Sequence, residues 1–281
     1  MNRKEWTKTE EEYILNNFKN KSATEIANDL DRTMSAVRNK IKRLGLKKEK
    51  YHYDKSFFNF IDNEIKAYWL GFLSADGWIS HSNVGNRASY EIGIQLQLND
   101  IEHLRQFNKD LNGNIEVKVF TKKCGFKKDI RYNRKEEYNC CGIRIYNKEM
   151  YEALVALGFS NHKSFNIRIP KIDKKYMVDF IRGYYDGNGC LVQNKQRKSL
   201  NFDFCTASID MANDLRDVLY NDFGIGSYIY KEPSSYRVYI RGLHNSYKFG
   251  KLLYDNPKRF LKRKYQKFNQ IVDEYNISER L

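Results

Sequence analysis

Hydrophobic residues recur at helical spacing through the first 47 residues of the chain. Thr7–Glu10 and Ser22–Glu25 both have the form Ser/Thr-x-x-Glu, a capping box, so helices are predicted to begin at about residues 8 and 23. A third helix is predicted to begin near Thr33 and to end at Gly45. The expected core of this small all-α domain, residues 1–47, consists of Trp6, Tyr13, Ile14, Ile26, Ala27, Leu30, Val37, Ile41 and Leu44.

The third helix, in the segment TMSAVRNKIKRLGL, surrounds a short hydrophobic stripe with basic residues. A helix that anchors one face in the core and offers donors on the other can read a DNA groove. The whole segment resembles Myb/SANT-like and related helix-turn-helix modules of phage and bacterial DNA-binding proteins. The resemblance implies DNA contacts by Arg38, Lys40, Lys42 and Arg43. The alternative is a solvated basic helix in an accessory bundle.

The polar stretch KKEKYHYD predicts a linker over residues 48–60, and beyond it one pattern of elements occurs twice. Each copy reads as αββαββα, an internal pseudo-repeat, with the halves predicted at residues 61–165 and 166–281. The predicted fold class is therefore α+β with a pseudo-twofold duplication. Two hydrophobic helices are predicted to open the halves, and further helices are predicted near 100–111, 148–157 and 209–221 and at the end of the second half. Strands are predicted near 89–98, 115–121, 139–146, 190–194, 200–206, 227–231 and 236–241.

A pair of similar segments opens the two halves, WLGFLSADG at residues 69–77 and IRGYYDGNG at residues 181–189. Gly71 and Ala75 are four residues apart, as are Gly183 and Gly187, so each pair shares one helix face. Faces without side chains allow two helices to pack with their backbones nearly touching. Asp76 and residue 188 are then expected side by side where both helices end.

An acid at a helix C-terminus meets the negative end of the helix dipole, which is unfavourable. The glycine that follows each segment ends the helix without any acid. A divalent cation would neutralise both the carboxylate and the helix-end carbonyls. The alternative reading is two buried helices with a solvent-facing aspartate, and the repetition of the pattern argues against it.

The two segments resemble the paired motifs of LAGLIDADG homing endonucleases, in the single-chain form, over about residues 60–275. The resemblance implies a saddle of two antiparallel sheets in the DNA major groove and Mg²⁺-dependent cleavage, with Mn²⁺ or Ca²⁺ able to replace Mg²⁺ in binding. By matching position, Asp76 is a catalytic metal ligand helped by the Ala75 carbonyl. Asn188 and the Gly187 carbonyl occupy the corresponding places in the second half.

Three further positions match residues that support catalysis in that family. Gln95 stands at the place of a polar residue that orients water, and Cys205 falls where Gln95 would be repeated. Lys163 and Lys264 match basic residues that stabilise charge at the scissile phosphate. Each lysine fits an ordinary phosphate contact equally well.

Asn188 departs from the family pattern, which has a carboxylate there. An amide oxygen can bind Mg²⁺ but brings no charge, and hard cations favour carboxylates. Asp186 is not expected to replace it, because residues two apart in a helix point to nearly opposite sides. Three explanations stay open: the enzyme works with one carboxylate and nicks one strand, the asparagine inactivates it, or the chain only binds DNA.

The charge of the chain indicates what kind of partner it binds. The net charge of +15 and the pI near 9.4 indicate a polyanion. The segment Lys118–Lys135 carries eight basic residues and one acid, which suits a phosphate backbone or, alternatively, a solvated sheet edge. Beyond the four residues of the third helix, the predicted DNA contacts are Lys122, Lys123, Lys127, Lys128, Arg131, Lys195, Arg197, Lys262 and Arg263.

The cysteines and the N-terminus bear on the compartment. The five cysteines form no Cys-x-x-Cys pair and are odd in number, which indicates reduced intracellular thiols. The sequence MNRKEWTKTE is too polar for a signal peptide, and no hydrophobic run reaches the roughly 18 residues of a membrane span. We therefore expect a cytoplasmic protein with no membrane partner.

The sequence thus predicts a monomeric, Mg²⁺-dependent homing endonuclease of intron or intein type, from a phage or a bacterium. It would hydrolyse a long, specific double-stranded DNA site, with cleavage impaired or biased to one strand by Asn188. The alternative hypothesis is a non-catalytic DNA-binding regulator or an RNA-splicing maturase on the same scaffold.

Overall fold

The structure is a computed structural model that describes residues 5–46, 51–84, 87–123, 137–161 and 163–279. Its contacts divide the chain into two compact units, Met1–His52 and Tyr53–Leu281. Among the residues singled out in the sequence, Lys127, Lys128 and Arg131 lie outside the described residues.

The first unit contains three helices, α1 (Lys8–Asn17), α2 (Ala23–Asp29) and α3 (Met34–Arg43). Thr7 and Ser22 are the N-caps of α1 and α2, and both reciprocal hydrogen bonds of each predicted capping box form. Thr33 caps α3. The predicted helix starts are therefore confirmed.

The core of the first unit contains all nine residues predicted for it. Ile14, Ile26, Ala27 and Val37 are buried, and the other five are partly buried against them. Phe18, Ala23 and Leu46 also pack there and were not predicted. The helical periodicity thus identified the centre of this core but not its margin.

The second unit contains the predicted duplication. The first half runs α4 (Glu64–Asp76), β1 (Gly77–Val84), β2 (Arg87–Gln97), α5 (Ile101–Asp110), β3 (Lys118–Lys123), β4 (Glu137–Tyr146) and α6 (Lys148–Ala156). After the short α7 (Lys163–Asn166), the second half runs α8 (Met177–Asn188), β5 (Gly189–Asn194), β6 (Ser199–Thr206), α9 (Ile209–Asn221), β7 (Tyr228–Lys231), β8 (Tyr236–Ile240), α10 (Leu243–Tyr254) and α11 (Lys262–Glu274). Both halves run αββαββα, as predicted, and the second half adds one more helix, α11. The strand β1 and the short helix α7 had not been located individually.

The predicted linker over residues 48–60 is wrong at its C-terminal end. Phe57 and Phe58 are 4% and 1% exposed and belong to the core of the second unit, because two adjacent aromatic rings gain by leaving water. The backbone N–H of Asp54 also donates to the carbonyl of Leu111 at 2.7 Å. The second unit therefore begins several residues earlier than the charged composition of this stretch indicated.

Each half forms one four-stranded antiparallel sheet, with strand orders β1-β2-β4-β3 and β5-β6-β8-β7. Alternate residues on the central strands, such as Ile92 and Ile94 on β2 and Phe202 and Phe204 on β6, are buried against the helices. The residues between them lie on the opposite face, here called the outer face of each sheet. We call the first-half sheet sheet A and the second-half sheet sheet B.

Candidate functional site

The two motif helices, α4 and α8, pack with their backbones in contact. A Cβ atom at Gly71 would lie 2.0 Å from the carbonyl oxygen of Phe180, and one at Gly183 would lie 1.9 Å from the carbonyl oxygen of Tyr68. These distances leave room only for glycine at the two crossing positions. The close helix pair predicted from the spacing of the small residues is confirmed.

The same packing brings the C-terminal ends of the two helices together. A Cβ atom at Gly187 would lie 2.3 Å from the Cβ of Ala75 and 3.5 Å from the Cγ of Asp76. Asp76 and Asn188, the last residues of α4 and α8, are both partly buried. The carboxyl group of Asp76 therefore lies against the end of the opposite motif helix.

The carboxyl group of Asp76 is desolvated without being hydrogen-bonded by the protein. Burial raises the pKa of Asp76, while the positive charges of Lys264, Lys163 and Arg263 act in the opposite direction. Among the residues that the structure describes, none donates a hydrogen bond to this carboxylate. It is an acceptor that an added cation could use.

Asn188 and Asp186 have different surroundings from Asp76. The side chain of Asn188 interacts with the hydroxyl group of Tyr184, as does that of Thr206. Asp186 is fully buried and accepts hydrogen bonds from three groups: the Tyr68 and Tyr254 hydroxyls, each at 2.8 Å, and the backbone N–H of Leu261, at 2.7 Å. The expectation that Asp186 does not replace a carboxylate at position 188 is therefore confirmed.

Two buried lysines hold the ends of the motif helices. Lys163 donates from Nζ to the carbonyls of Ser74 at 2.6 Å and Ala75 at 3.2 Å. Lys264 donates to the carbonyls of Tyr185 at 2.7 Å and Gly189 at 2.6 Å. An ammonium group at a helix C-terminus is favourable, so both lysines stabilise the site.

Desolvation lowers the pKa of each of these lysines to about 8. Nearby acids oppose the shift, Asp76 for Lys163 and mainly Asp186 for Lys264. Both side chains are only 6% exposed, and two hydrogen bonds of each ammonium are given to backbone carbonyls. Both lysines thus hold helix-end carbonyls, and their predicted role at the scissile phosphate stays a prediction.

Gln95 and Cys205 occupy equivalent positions on the two central strands. Ile94 pairs with Gly77 and Phe204 pairs with Gly189, so the residues that follow correspond to each other. Gln95 lies on the outer face of sheet A, partly buried, with its Nε2 3.4 Å from the Sγ of Cys140. The position predicted for Cys205 is confirmed by the strand register.

The described part of the predicted DNA-contact set is mostly exposed. Lys40 differs: its side chain is only 14% exposed, forms an ion pair with Glu11 and packs over the ring of Trp6. Arg263 is exposed but pairs with Asp100 at 3.0 Å. The other exposed members are Arg38, Lys42 and Arg43 in α3, Lys122 and Lys123 in β3, Lys195 and Arg197 between β5 and β6, and Lys262 in α11.

Several residues of the outer faces were missed by the sequence analysis. On sheet A, Trp78 donates to Glu91 at 3.1 Å, and the guanidinium of Arg144 lies 5.7 Å from its ring centre. On sheet B, Arg241 lies over the ring of Tyr239. Alternation along each strand marks these positions, but which alternate set faces outward is fixed only by the strand register.

Clustered metal ligands and membrane-spanning helices were both sought among the described residues. In the described ranges, no group of three or more His, Cys, Asp or Glu side chains could hold a metal ion. A cation at Asp76 would therefore complete its coordination with carbonyl, amide or non-protein oxygens. No helix within these ranges is long and hydrophobic enough to cross a membrane.

Comparison with known sequences gives one family and two uncharacterised relatives. A family model described as a LAGLIDADG-like domain matches residues 175–254. Uncharacterized protein MJ1054 of Methanocaldococcus jannaschii is 24% identical over 228 residues, covering 76% of this chain and 23% of that protein. Uncharacterized protein MJ0314 of the same organism is 27% identical over 200 residues, covering 69% of this chain and 64% of that protein. The chain thus spans under two thirds of either relative.

Two solved structures share the fold. The LAGLIDADG meganuclease I-AabMI, bound to uncleaved DNA, aligns with a TM-score of 0.52 and 12% identity over 78% of this chain and 92% of that chain. The LAGLIDADG homing endonuclease I-GzeII, in complex with its DNA target, aligns with a TM-score of 0.51 and 12% identity over 78% and 91%. These alignments show the saddle fold of two antiparallel sheets.

Proposed function

We propose that this chain, which matches a LAGLIDADG-like domain over residues 175–254 and shares the LAGLIDADG fold, is a site-specific DNA endonuclease. It would hydrolyse phosphodiester bonds in a long double-stranded site, with Mg²⁺ as its cation. The observation that carries this proposal is Asp76, a desolvated carboxylate at the junction of two helix ends to which no described residue donates a hydrogen bond.

The donor set at the end of α4 fits a hard cation. The Asp76 carboxylate and the Ala75 carbonyl would hold it, with the remaining ligands from water and from the DNA phosphate. When bound, the cation supplies Lewis-acid activation of water and stabilises charge on the phosphate. Lys163 donates from Nζ to the Ala75 carbonyl at 3.2 Å and would therefore hold that ligand in position. Gln95, on the adjoining strand, is the polar side chain that would orient the attacking water.

The end of α8 fits a cation less well. Its Asn188 brings no charge, and its Gly187 carbonyl is a weak ligand alone. The end of α8 therefore lacks the negative charge that Asp76 brings to the end of α4. We infer that one strand is cut faster than the other, so nicked DNA would accumulate.

The outer faces of the two sheets would lie in the DNA major groove. The net charge of +15 and the exposed lysines Lys122 and Lys123 on β3 support this placement. The first unit would add contacts through Arg38, Lys42 and Arg43 of α3. We expect the protein to bind as a monomer, because one chain supplies both halves of the saddle.

Selection of bound sequences from a random DNA library, followed by a plasmid assay on the selected site, tests the proposal. Mg²⁺ should convert supercoiled plasmid first to the nicked form, and Asp76→Asn should bind the site without cutting it. Asp214→Asn, which changes a distant surface acid paired with Arg168, is the control and should cut normally. Equal cleavage by Asp76→Asn and the wild type would remove Asp76 from the chemistry.

The inferred strand bias has a separate test. Asn188→Asp restores the carboxylate at the end of α8 and should increase the linear product relative to the nicked one. The bias should disappear as the second cut becomes faster. If nicking and linearisation are unchanged in this variant, position 188 has no role in cleavage.

A second candidate function is DNA binding without cleavage, as in a regulator. Asn188 is engaged by Tyr184, and a single carboxylate marks the site in the described residues, which favours this candidate. It predicts tight, salt-dependent, sequence-specific binding and no turnover with Mg²⁺ or Mn²⁺. An RNA competitor that displaced the DNA would instead support a maturase.

A further inference from the structure

The outer faces of the two sheets differ at equivalent positions. On sheet A the ring of Trp78 covers Gly93, since a Cβ atom there would lie 2.1 Å from the indole. Trp78 pairs with Gly93 on sheet A, and Cys190 pairs with Asp203 at the equivalent place on sheet B. Cys190 therefore corresponds to Trp78, and Asp203 corresponds to Gly93. The tryptophan that closes the surface of sheet A thus has only a small counterpart on sheet B.

The outer face of sheet B contains a cavity of about 540 Å³, within the size range of ligand pockets. Asp203 is among the residues that line it, beside Tyr239, whose ring supports the guanidinium of Arg241 at 4.7 Å. This stacking limits the orientations that the guanidinium can take. The remaining polar lining residues, Asn194, Arg197, Ser199 and Asn201, belong to β5, β6 and the turn between them.

Asp203 is anchored by one of its oxygens, and no described residue is a partner for the other. It is only 4% exposed, and its Oδ2 accepts a hydrogen bond from Arg237 at 3.1 Å. Arg237 is fixed in turn by Glu232 at 2.8 Å. The Oδ1 atom of Asp203 is buried and accepts no hydrogen bond from any described residue.

A buried acceptor without a donor is unfavourable in the free protein, and a ligand that brings a donor relieves it. Burial raises the pKa of Asp203, and the charge of Arg237 opposes that shift. An ionised carboxylate accepts but cannot donate, so it favours an N–H donor with few acceptors around it. In the DNA major groove the N4 amino group of cytosine has an acceptor on one side only, the O6 of the paired guanine, whereas the N6 amino group of adenine lies between two acceptors, its own N7 and the O4 of thymine.

We propose that this cavity is a base-reading subsite in which Asp203 turns its free Oδ1 into the cavity and accepts a hydrogen bond from the N4 amino group of a cytosine. The proposal rests on the DNA-binding part of the proposed function and not on cleavage. It makes sheet B specific for cytosine at one position of its half-site. Sheet A, closed by Trp78 at the same place, has no equivalent preference.

The test compares sequences that the full-length wild type and Asp203→Asn select from a random double-stranded DNA library. The wild type should show a cytosine preference that falls about tenfold at one position in the variant, with the other positions unchanged. Glu91→Gln is the matched control, because this outer-face carboxylate of sheet A already accepts from Trp78. It should leave that cytosine preference intact.

A second measurement uses only the wild-type protein and so does not depend on the folding of a variant. Replacing the cytosine in the selected site by a pyrimidine without the 4-amino group should weaken binding about tenfold. An unchanged cytosine preference in Asp203→Asn, or equal binding of the analogue, would overturn the inference while leaving DNA binding intact. A wild type that selects no sequence would overturn the inference and the proposed function together.

Discussion

Gly183→Ala is the sharpest test of the close helix pair that forms the site. The added methyl group would lie 1.9 Å from the carbonyl oxygen of Tyr68, whereas real Cβ atoms essentially never approach another heavy atom within 3.0 Å. The backbones of α4 and α8 must therefore move apart by more than about 1 Å, because a backbone carbonyl cannot rotate away as a side chain can.

The expected loss of stability follows from two opposing contributions. Overpacking against a fixed backbone costs about 3 kcal/mol, at the upper end of the usual range, and alanine gains about 1 kcal/mol over glycine in a helix. The separation also stretches the hydrogen bond from Tyr68 to Asp186, which is 2.8 Å long. We therefore expect Gly183→Ala to lower the free energy of unfolding by about 2–3 kcal/mol.

Gly71→Ala provides an internal comparison, since its methyl group would meet the carbonyl of Phe180 at 2.0 Å across the same interface. Once the helices have separated for one methyl group, the second costs much less. The double variant should thus lose about 3 kcal/mol, clearly less than two independent losses would give. Gly226→Ala is the matched control, because its methyl group meets only Asn245, at 3.5 Å, and stability should change by less than about 0.5 kcal/mol.

Guanidinium chloride unfolding of the full-length chain, followed by tryptophan fluorescence, measures these values; the buried Trp69 in α4 contributes to this signal together with Trp6 and Trp78. Wild-type stability of Gly183→Ala would show that the backbones do not touch as described. Additive losses in the double variant would show that the two glycines do not share one interface. Either result would remove the geometric basis for placing Asp76 and Asn188 together.

Three further outcomes are expected. The pKa of Lys163 is about 8 in the folded state and about 10.4 in unfolded chains, so above pH 8 the unfolded state binds more protons than the folded state. The free energy of unfolding of the wild type should therefore rise by about 1 kcal/mol relative to Lys163→Met between pH 7.5 and 9, as measured by denaturant titrations at each pH. Asp186→Ala should lose about 3–5 kcal/mol in the same titration, since it strands three buried donors, and Asp186→Asn should lose less. In salt-dependent DNA binding, Lys42→Ala should reduce the logarithmic slope by about 0.9, whereas Lys40→Ala should leave the slope unchanged because Lys40 is paired within the protein.

The local signals in the sequence identified most of the fold. Capping boxes placed the starts of α1 and α2, and the spacing of the small residues placed the contact between α4 and α8. Both depend on neighbours in the chain or on one helix face, and such patterns are visible in a single sequence. The helix ends that form the site could therefore be predicted together with the residues at them.

The partners of the charged residues could not be predicted in the same way. The buried pairing of Asp186 with Tyr254 and Leu261 joins residues about 70 positions apart, and nothing in the local pattern links them. The assignment of Lys40 to the DNA-facing set overlooked Glu11, which lies on another helix. Contacts between distant elements depend on the packing itself, so a charge pattern on one helix does not reveal which charges are already paired.

The two halves share the residues that pack the motif helices together and differ in the side chains at the helix ends. Gly71 and Gly183 each meet the other helix's backbone, so neither can change alone, and Lys163 and Lys264 hold the two helix ends in the same manner. The groups presented to a substrate carry no such reciprocal constraint, and here Asn188 stands opposite Asp76. The symmetry of the scaffold is therefore no evidence for two equal catalytic sites, and if the proposed endonuclease function holds, the two DNA strands should be cut at different rates.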